Sequence, residues 1–188
     1  MFVTPEMIGQ WEQRYGVPRE WSHHQPMSDR DHGVIKGSQR NGREHDITLY
    51  VEHQGLIAVI AKPFYPPGLY RAPSGGLNPG ESLEEGAQRE AIEETGLTIA
   101  LRQYLLRTDV VFEAPLGRIA WHSHVFSATT EQTSIQPTDH HEIREARWAQ
   151  PGEFATFGAI MRDTNLGGLH YRASLHEQIA RLHPLFQR

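Results

Sequence analysis

Gly75-Gly76-Leu77-Asn78-Pro79-Gly80-Glu81-Ser82-Leu83-Glu84-Glu85-Gly86-Ala87-Gln88-Arg89-Glu90-Ala91-Ile92-Glu93-Glu94-Thr95-Gly96-Leu97 is the stretch on which the reading of this chain turns. Its second half is signed as a helix at both ends. Ser82 and Glu85 have the spacing of a capping box, in which each side chain satisfies the other's free backbone N–H. Gly96 supplies the left-handed residue that stops the helix. At about 100° per residue, Glu90, Glu93 and Glu94 fall within an arc of about 100°, so three carboxylates share one face. Like charges at these spacings cost an isolated helix roughly 0.2–0.5 kcal/mol per pair, and Arg89 is the cation beside them in sequence. A solvated helix face is the plain alternative. Oxygen donors in excess over bases suit a hard divalent ion, Mg²⁺ or Mn²⁺.

Upstream, Pro5 to Tyr15 has Met7, Ile8, Trp11 and Tyr15 at helical spacing behind Thr4, predicting a short amphipathic helix. Ser22 to Arg43 is polar and without sustained period, and reads as a loop or arm. Ile47 to Val51 and Leu56 to Ala61 read as strands joined by a turn at His53-Gln54-Gly55. Downstream, strands are expected at about Thr98 to Arg107, Gly117 to Ala128 and Ile143 to Ala149. Helices are expected near Pro151 to Asp163 and Gly168 to Leu182. Strands flanking one helix, with helices at the end, describe an α+β or three-layer sandwich rather than a regular parallel array.

The 188 residues carry 38% hydrophobic and 22% charged residues, enough for one domain with an extension. No cysteine is present, which removes disulfides, thiolate metal sites and cysteine nucleophiles. A net charge of -5 gives no reach toward a polyanionic duplex, so bulk nucleic acid is not the expected partner. No signal-peptide pattern opens the sequence and no apolar run approaches the ~20 residues of a membrane span, so a cytoplasmic protein without a membrane partner is expected.

The spacing Gly75, five residues, Glu81, seven residues, Arg89-Glu90, two residues, Glu93-Glu94, one residue, Gly96 and an apolar residue resembles the Nudix box over Gly75 to Leu97. Seven fixed identities at ordinary usage match by chance on the order of 10⁻⁹ per starting point, which sets the solvated-face alternative aside. The resemblance implies an α+β fold, a Nudix-type α/β/α sandwich with a mixed β-sheet. It divides the chain into a helix and polar arm at 1–45 and a Nudix hydrolase domain at 46–188. It implies a hydrolase that uses Mg²⁺ or Mn²⁺ to cleave the pyrophosphate linkage of a nucleoside diphosphate derivative. ADP-ribose or a nucleotide sugar is favoured as that small-molecule nucleotide substrate, and modified nucleoside triphosphates come after them. A Nudix-fold sensor that binds a nucleotide without turnover is the competing class.

The same resemblance makes Glu90 and Glu94 metal ligands, with Glu93 ligating or handling the nucleophile's proton. The backbone carbonyl of Ser74 falls at the ligand position before Gly75, while Gly75, Glu81 and Arg89 are supporting residues. Family members often add an acid from a distant loop, for which Glu142 is chosen over Asp139. Arg71 is the phosphate-clamp candidate, against a solvated strand-end cation as the plain reading. His122 and His124 share one strand face, His140-His141 adjoin the acids, and Tyr70, Phe112, Trp121 and Trp148 are candidate base-stacking surfaces. Two departures stand out: Ala91 where a larger aliphatic is common, and a glycine loop one residue tight. The Trp11 helix offers an apolar face for a homodimer.

Overall fold

The computed structural model describes residues 3–39 and 42–187; Met1, Phe2, Arg40, Asn41 and Arg188, which the sequence reading assigns to the chain ends and the polar arm, lie outside them. A mixed sheet forms the middle layer. Its strands are β1 Arg19–Pro26, β2 His45–His53, β3 Leu56–Ala61, β4 Ser74–Gly75, β5 Ala100–Ala114, β6 Gly117–Thr129 and β7 Glu145–Ala149. The helices are α1 Pro5–Tyr15, α2 Asp29–Ser38, α3 Leu83–Thr95, α4 Glu153–Arg162 and α5 Gly167–Leu182. The strand order is β1-β5-β6-β2-β3-β7, with β4 set against β2. The β1/β5 and β2/β6 pairs are parallel and the remainder antiparallel.

Alternation along β2 shows why there are three layers. Ile47, Leu49 and Val51 meet Leu83, Ala87 and Ala91 of α3 and Trp11 of α1 on one face. Tyr50 meets Phe154 of α4 and Ile179 of α5 on the other. A strand buried on both faces can carry apolar residues at consecutive positions, as β2 and β3 do. Ala91 is fully buried, and its small side chain lets α3 lie close to the sheet.

The site owes its existence to a fork in that sheet. The β2/β3 hairpin turns at Gln54 and Gly55, whose φ values of 49° and 82° belong to the left-handed region favoured in tight hairpins. The two strands pair through Glu52↔Ile57 and His53↔Leu56. Beyond this they part, and the segment 71–75 runs between them. Arg71 bridges Ile60 of β3, Pro73 O accepts from Leu49 N at 2.9 Å, and Gly75 pairs with Ile47.

One expectation is corrected. The polar stretch from Ser22 to Arg43 is not a loop: most of it forms β1 and α2. β1 lies parallel to β5 through eight registered pairs at the sheet's edge. Trp21 stacks on Tyr171 of α5 with ring centroids 6.3 Å apart, while α2 is tied to α5 by the Asp31 carboxylate, which accepts from Gly167 N at 2.9 Å. The apolar face of α1 is also not left open, since Trp11 is 5% exposed and packs edge-on against Tyr104, His124 and Phe126. Among the described residues no helix is long and apolar enough to cross a membrane.

Candidate active site

α3 forms as its sequence dictates. The Ser82 side chain accepts from Glu85 N, Glu85 answers to Ser82 N at 2.9 Å, and Gly96 closes the helix at φ 75°. A Cβ on Gly96 would overlap the carbonyl oxygen of Gln136, so the loop that follows β6 can lie directly on the helix end. That loop satisfies orphan carbonyls of the last turn. Gln136 N donates to Thr95 O, while Thr138 N and Asp139 N both donate to Glu93 O. The helix end thereby brings Asp139 and Glu142 to the acidic face of α3.

These residues line one cavity of about 350 Å³, with Ser38, Arg43, Asp46, Lys62, Arg71, Ser74, Gly75, Gly76, Trp121 and Arg172 completing the wall. Its volume lies in the range of small-molecule sites. Six acids (Asp46, Glu90, Glu93, Glu94, Asp139, Glu142) face four cations (Arg43, Lys62, Arg71, Arg172).

Glu94 is buried, and both of its oxygens are engaged. Oε1 accepts from Arg71 Nη2 at 3.2 Å and Oε2 from Ser74 N at 2.7 Å. Arg71, 5% exposed, also donates to Tyr65 Oη, Ala72 O and Ser74 Oγ. Burial opposes its charge, but Glu94 and Tyr65 outweigh that and hold the guanidinium above its ordinary value. The expected phosphate clamp is therefore a buried residue whose donors reach protein acceptors. Beside it, Arg172 of α5 donates to Asp46 at 2.7 Å and to Thr48 and Ser74 hydroxyls. Burial works to raise the Asp46 pKa, yet Arg172, Ser123 and Trp121 outweigh it and bring it down to about 2.

Arg89 organises the open side. Its Nε and Nη2 form a two-pronged pair with Glu81 at 2.8 and 2.9 Å, and Nη2 also reaches Gly76 O at 2.7 Å. Its Nη1 donates to Glu90 at 2.7 Å and to Glu93 at 3.1 Å. Glu81 also accepts from Asn78 N, which fixes the glycine loop. A Cβ on Gly75 would overlap the Glu90 carboxyl group, so that glycine is needed for Glu90 to lie over the loop. Burial, followed by the opposing pull of Arg89 and the push of Glu94 and Glu93, raises Glu90 to about 7. Glu142 is exposed and pairs with Lys62 at 2.6 Å, whose Nζ lies 4.0 Å from Glu94. Asp139 is kept low chiefly by backbone N–H donors from Glu142 and then His141.

Among the described residues, no three His, Asp or Glu side chains are gathered closely enough to hold an ion as they stand, since Arg89 and Arg71 hold the carboxylates. The donor set is nonetheless all oxygen and acid-rich, and Glu90, Glu93 and Glu94 line the same cavity. That chemistry fits a hard dication. His122 and His124 face away from this cavity. His122 meets Asp109 at 2.9 Å and His124 meets the Tyr104 hydroxyl at 2.5 Å, on the α1 side of the sheet. Of the four aromatic candidates, Trp121 lines the cavity and donates to Asp46 at 2.8 Å. Phe112 is core, Tyr70 lies under Arg147, and Trp148 is hydrogen-bonded to Thr133 O. Sequence reasoning passed over Arg43, Asp46, Lys62 and Arg172. Lys62 carries a signal, as the first residue past a buried strand; nothing in the local pattern separates Arg172 from other polar residues of α5.

A mixed sheet lies between helical layers, with a capped acidic helix over a glycine loop. The description "NUDIX domain" matches residues 41–165, and the chain belongs to that family. Among its relatives, human mitochondrial NAD(P)H pyrophosphatase NUDT13 is 36% identical over 133 residues, covering 65% of this chain and 36% of that protein. An RNA pyrophosphohydrolase from Erythrobacter litoralis is 30% identical over 102 residues, covering 46% of this chain and 62% of that one. The chain thus spans about a third of the first relative's length and under two thirds of the second's. The crystal structure of a MutT protein from Methanosarcina mazei Go1 superposes with a TM-score of 0.50 at 20% identity over 73% of this chain and 92% of that one, a likeness of fold.

Proposed function

We propose that this chain is a Mg²⁺- or Mn²⁺-dependent pyrophosphohydrolase acting on a nucleoside diphosphate derivative, with ADP-ribose or a nucleotide sugar as the favoured substrate. The observation that carries the reading is the acidic face of α3 set against cations of four different segments in one small cavity. Hydrolysis of a pyrophosphate demands positioning and charge neutralisation more than covalent chemistry. The relatives' names, an NAD(P)H pyrophosphatase and RNA pyrophosphohydrolases, describe cleavage of the same kind of linkage in other molecules.

Glu90, Glu93 and Glu94, with the Ser74 carbonyl, are the residues that would hold the ion. A bound dication supplies neutralisation of phosphate oxygens and a water of lowered pKa. The chain's own residues do the rest. Arg71 and Ser74 N hold Glu94 in one orientation, and Gly75 leaves room for Glu90. Glu93 keeps Oε2 on Arg89 while Oε1 has no hydrogen bond among the described residues, which supports a reading in which Oε1 takes the attacking water's proton. Glu142, the distal acid, is held by Lys62 at the cavity's far edge.

The test is phosphate release, coupled to phosphatase where needed, from ADP-ribose, nucleotide sugars, NADH, nucleoside triphosphates and 5′-triphosphorylated RNA with Mg²⁺ or Mn²⁺. Turnover of a small nucleoside diphosphate derivative ahead of the RNA is the expected result. Tight binding of one nucleotide with no turnover of any would replace the enzyme by a sensor.

A further inference from the structure

Four cations line the cavity, and three are already paired: Lys62 with Glu142, Arg71 with Glu94, and Arg172 with Asp46. Arg43 differs. Its Nε donates to Ser38 O at 3.2 Å, and no carboxylate pairs with it among the described residues. A half-buried guanidinium facing a cavity without a counter-ion is unusual, because a partly desolvated charge is normally paired. Among the described residues its two Nη groups make no hydrogen bond.

Its placement is specific. A Cβ on Gly76 would overlap the Arg43 guanidinium, just as one on Gly75 would overlap the Glu90 carboxylate. The glycine pair therefore seats an acid and a free cation side by side. Glu90 belongs to the acidic face, while Arg43 stands on the side toward β6, where Trp121 lines the wall. Lys62 and Glu142 stand on the other side, past the ends of β3 and before β7. A planar fork of N–H donors there matches the oxygens of a phosphate, which it can engage in a two-pronged contact.

We propose that Arg43 binds a phosphate group of the substrate on the β6 side of the cavity, and that α2 sets how far it reaches. This deepens the proposed function and rests on it for the identity of the anion as a nucleotide diphosphate. The support for α2 is structural. The Ser38 carbonyl that orients Arg43 is the last residue of α2, and α2 is anchored by Asp29 to Leu116 N at 2.9 Å and by Asp31 to Gly167 N. This helix lies before the matched family region of 41–165. The segment that read as a featureless arm is thus a positioning element for a residue that touches substrate.

The test uses the full chain and titrates ADP and inorganic pyrophosphate by calorimetry with Mg²⁺, alongside hydrolysis of the best substrate. Arg43→Gln is expected to weaken ADP binding at least tenfold and to raise KM by a similar factor, with kcat changed less than threefold. Arg43→Lys, which keeps the charge but loses the fork and packs without a new cavity, is expected to fall between the two and guards against a folding defect in the glutamine variant. Unchanged ADP affinity in both variants, or failure of the native chain to bind either probe, overturns the proposal. Loss in kcat alone, with affinity intact, overturns it too. Arg43-dependent ADP binding without hydrolysis of any substrate supports the anion site and counts against the hydrolase reading instead.

Discussion

On the inner wall of the cavity, Glu94 is 5% exposed, accepts from Arg71 and from Ser74 N, and sits against an arginine that is itself buried. On the outer wall, the Glu93 side chain is 43% exposed, the Glu142 side chain 64%, and each is held by a single cation. The residue types are the same and the physics differs. Desolvation makes an unpaired inner charge prohibitively costly, so the inner wall is locked by its own chemistry. The outer acids are hydrated whether paired or not, so their pairs contribute little to stability and can exchange for substrate or ion. The inner wall therefore holds geometry, while the outer acids are the ones free to change partners.

The largest break comes from the inner wall. Glu94→Ala leaves the buried Arg71 charge without its partner, which costs about 3–5 kcal/mol. For a chain of this length that corresponds to a fall in melting temperature of roughly 10 °C, read by thermal unfolding. Hydrolysis should be lost at the same time.

Acid should break the fold away from either wall. Burial is the first cause that keeps His124 and His176 neutral, with His45 and Arg172 respectively adding to it, and each falls to about 3. Their unfolded pKa lies near 6.5. The unfolded chain binds protons more readily between these values, so the stability from these residues is present above about pH 6.5 and is lost as pH falls toward 3. The slope is roughly 1.4 kcal/mol per pH unit for each histidine. Asp46 contributes in a lower window, present above its unfolded value of about 3.8 and lost as pH falls through 2. Urea midpoints should therefore decline steadily from pH 6.5 to 4.5, and His176→Leu should flatten that decline. A midpoint flat to pH 4 contradicts this account.

The smallest effect belongs to the outermost acid. Glu142→Gln breaks the Lys62 pair at an exposed site and should shift stability by less than about 0.5 kcal/mol. If Glu142 is the distal acid, the same variant lowers the rate without moving the melting temperature.

The parts of this molecule that were legible in its residues are those governed by local spacing. The capping box at Ser82, the Gly96 stop and the shared face of Glu90, Glu93 and Glu94 depend on neighbours within one or two turns, and α3 forms as they require. The strands around Ile47 and Leu56 were legible because both faces are buried and the residues are apolar throughout. β1 was hidden, since an edge strand with Trp21, His23 and Gln25 facing inward shows no apolar alternation. The cations were hidden for another reason. Arg43, Lys62 and Arg172 line the same cavity as the acids of α3, and no local spacing encodes contacts such as Lys62 to Glu142, 80 residues apart, or Arg172 to Asp46, 126 apart. Arg71 was legible as a cation near the glycines, but its commitment to Glu94 follows from burial, which the sequence around it does not state.

The measurement that tests the division of labour most directly is Glu93→Gln against the native chain, with hydrolysis rate and melting temperature read from the same preparations. The rate is expected to fall by a factor of about 10²–10⁴, the range of a general base removed. The melting temperature should stay within about 2 °C, because an exposed acid is removed. A full rate in Glu93→Gln, or a melting temperature that falls as far as that of Glu94→Ala, would contradict it.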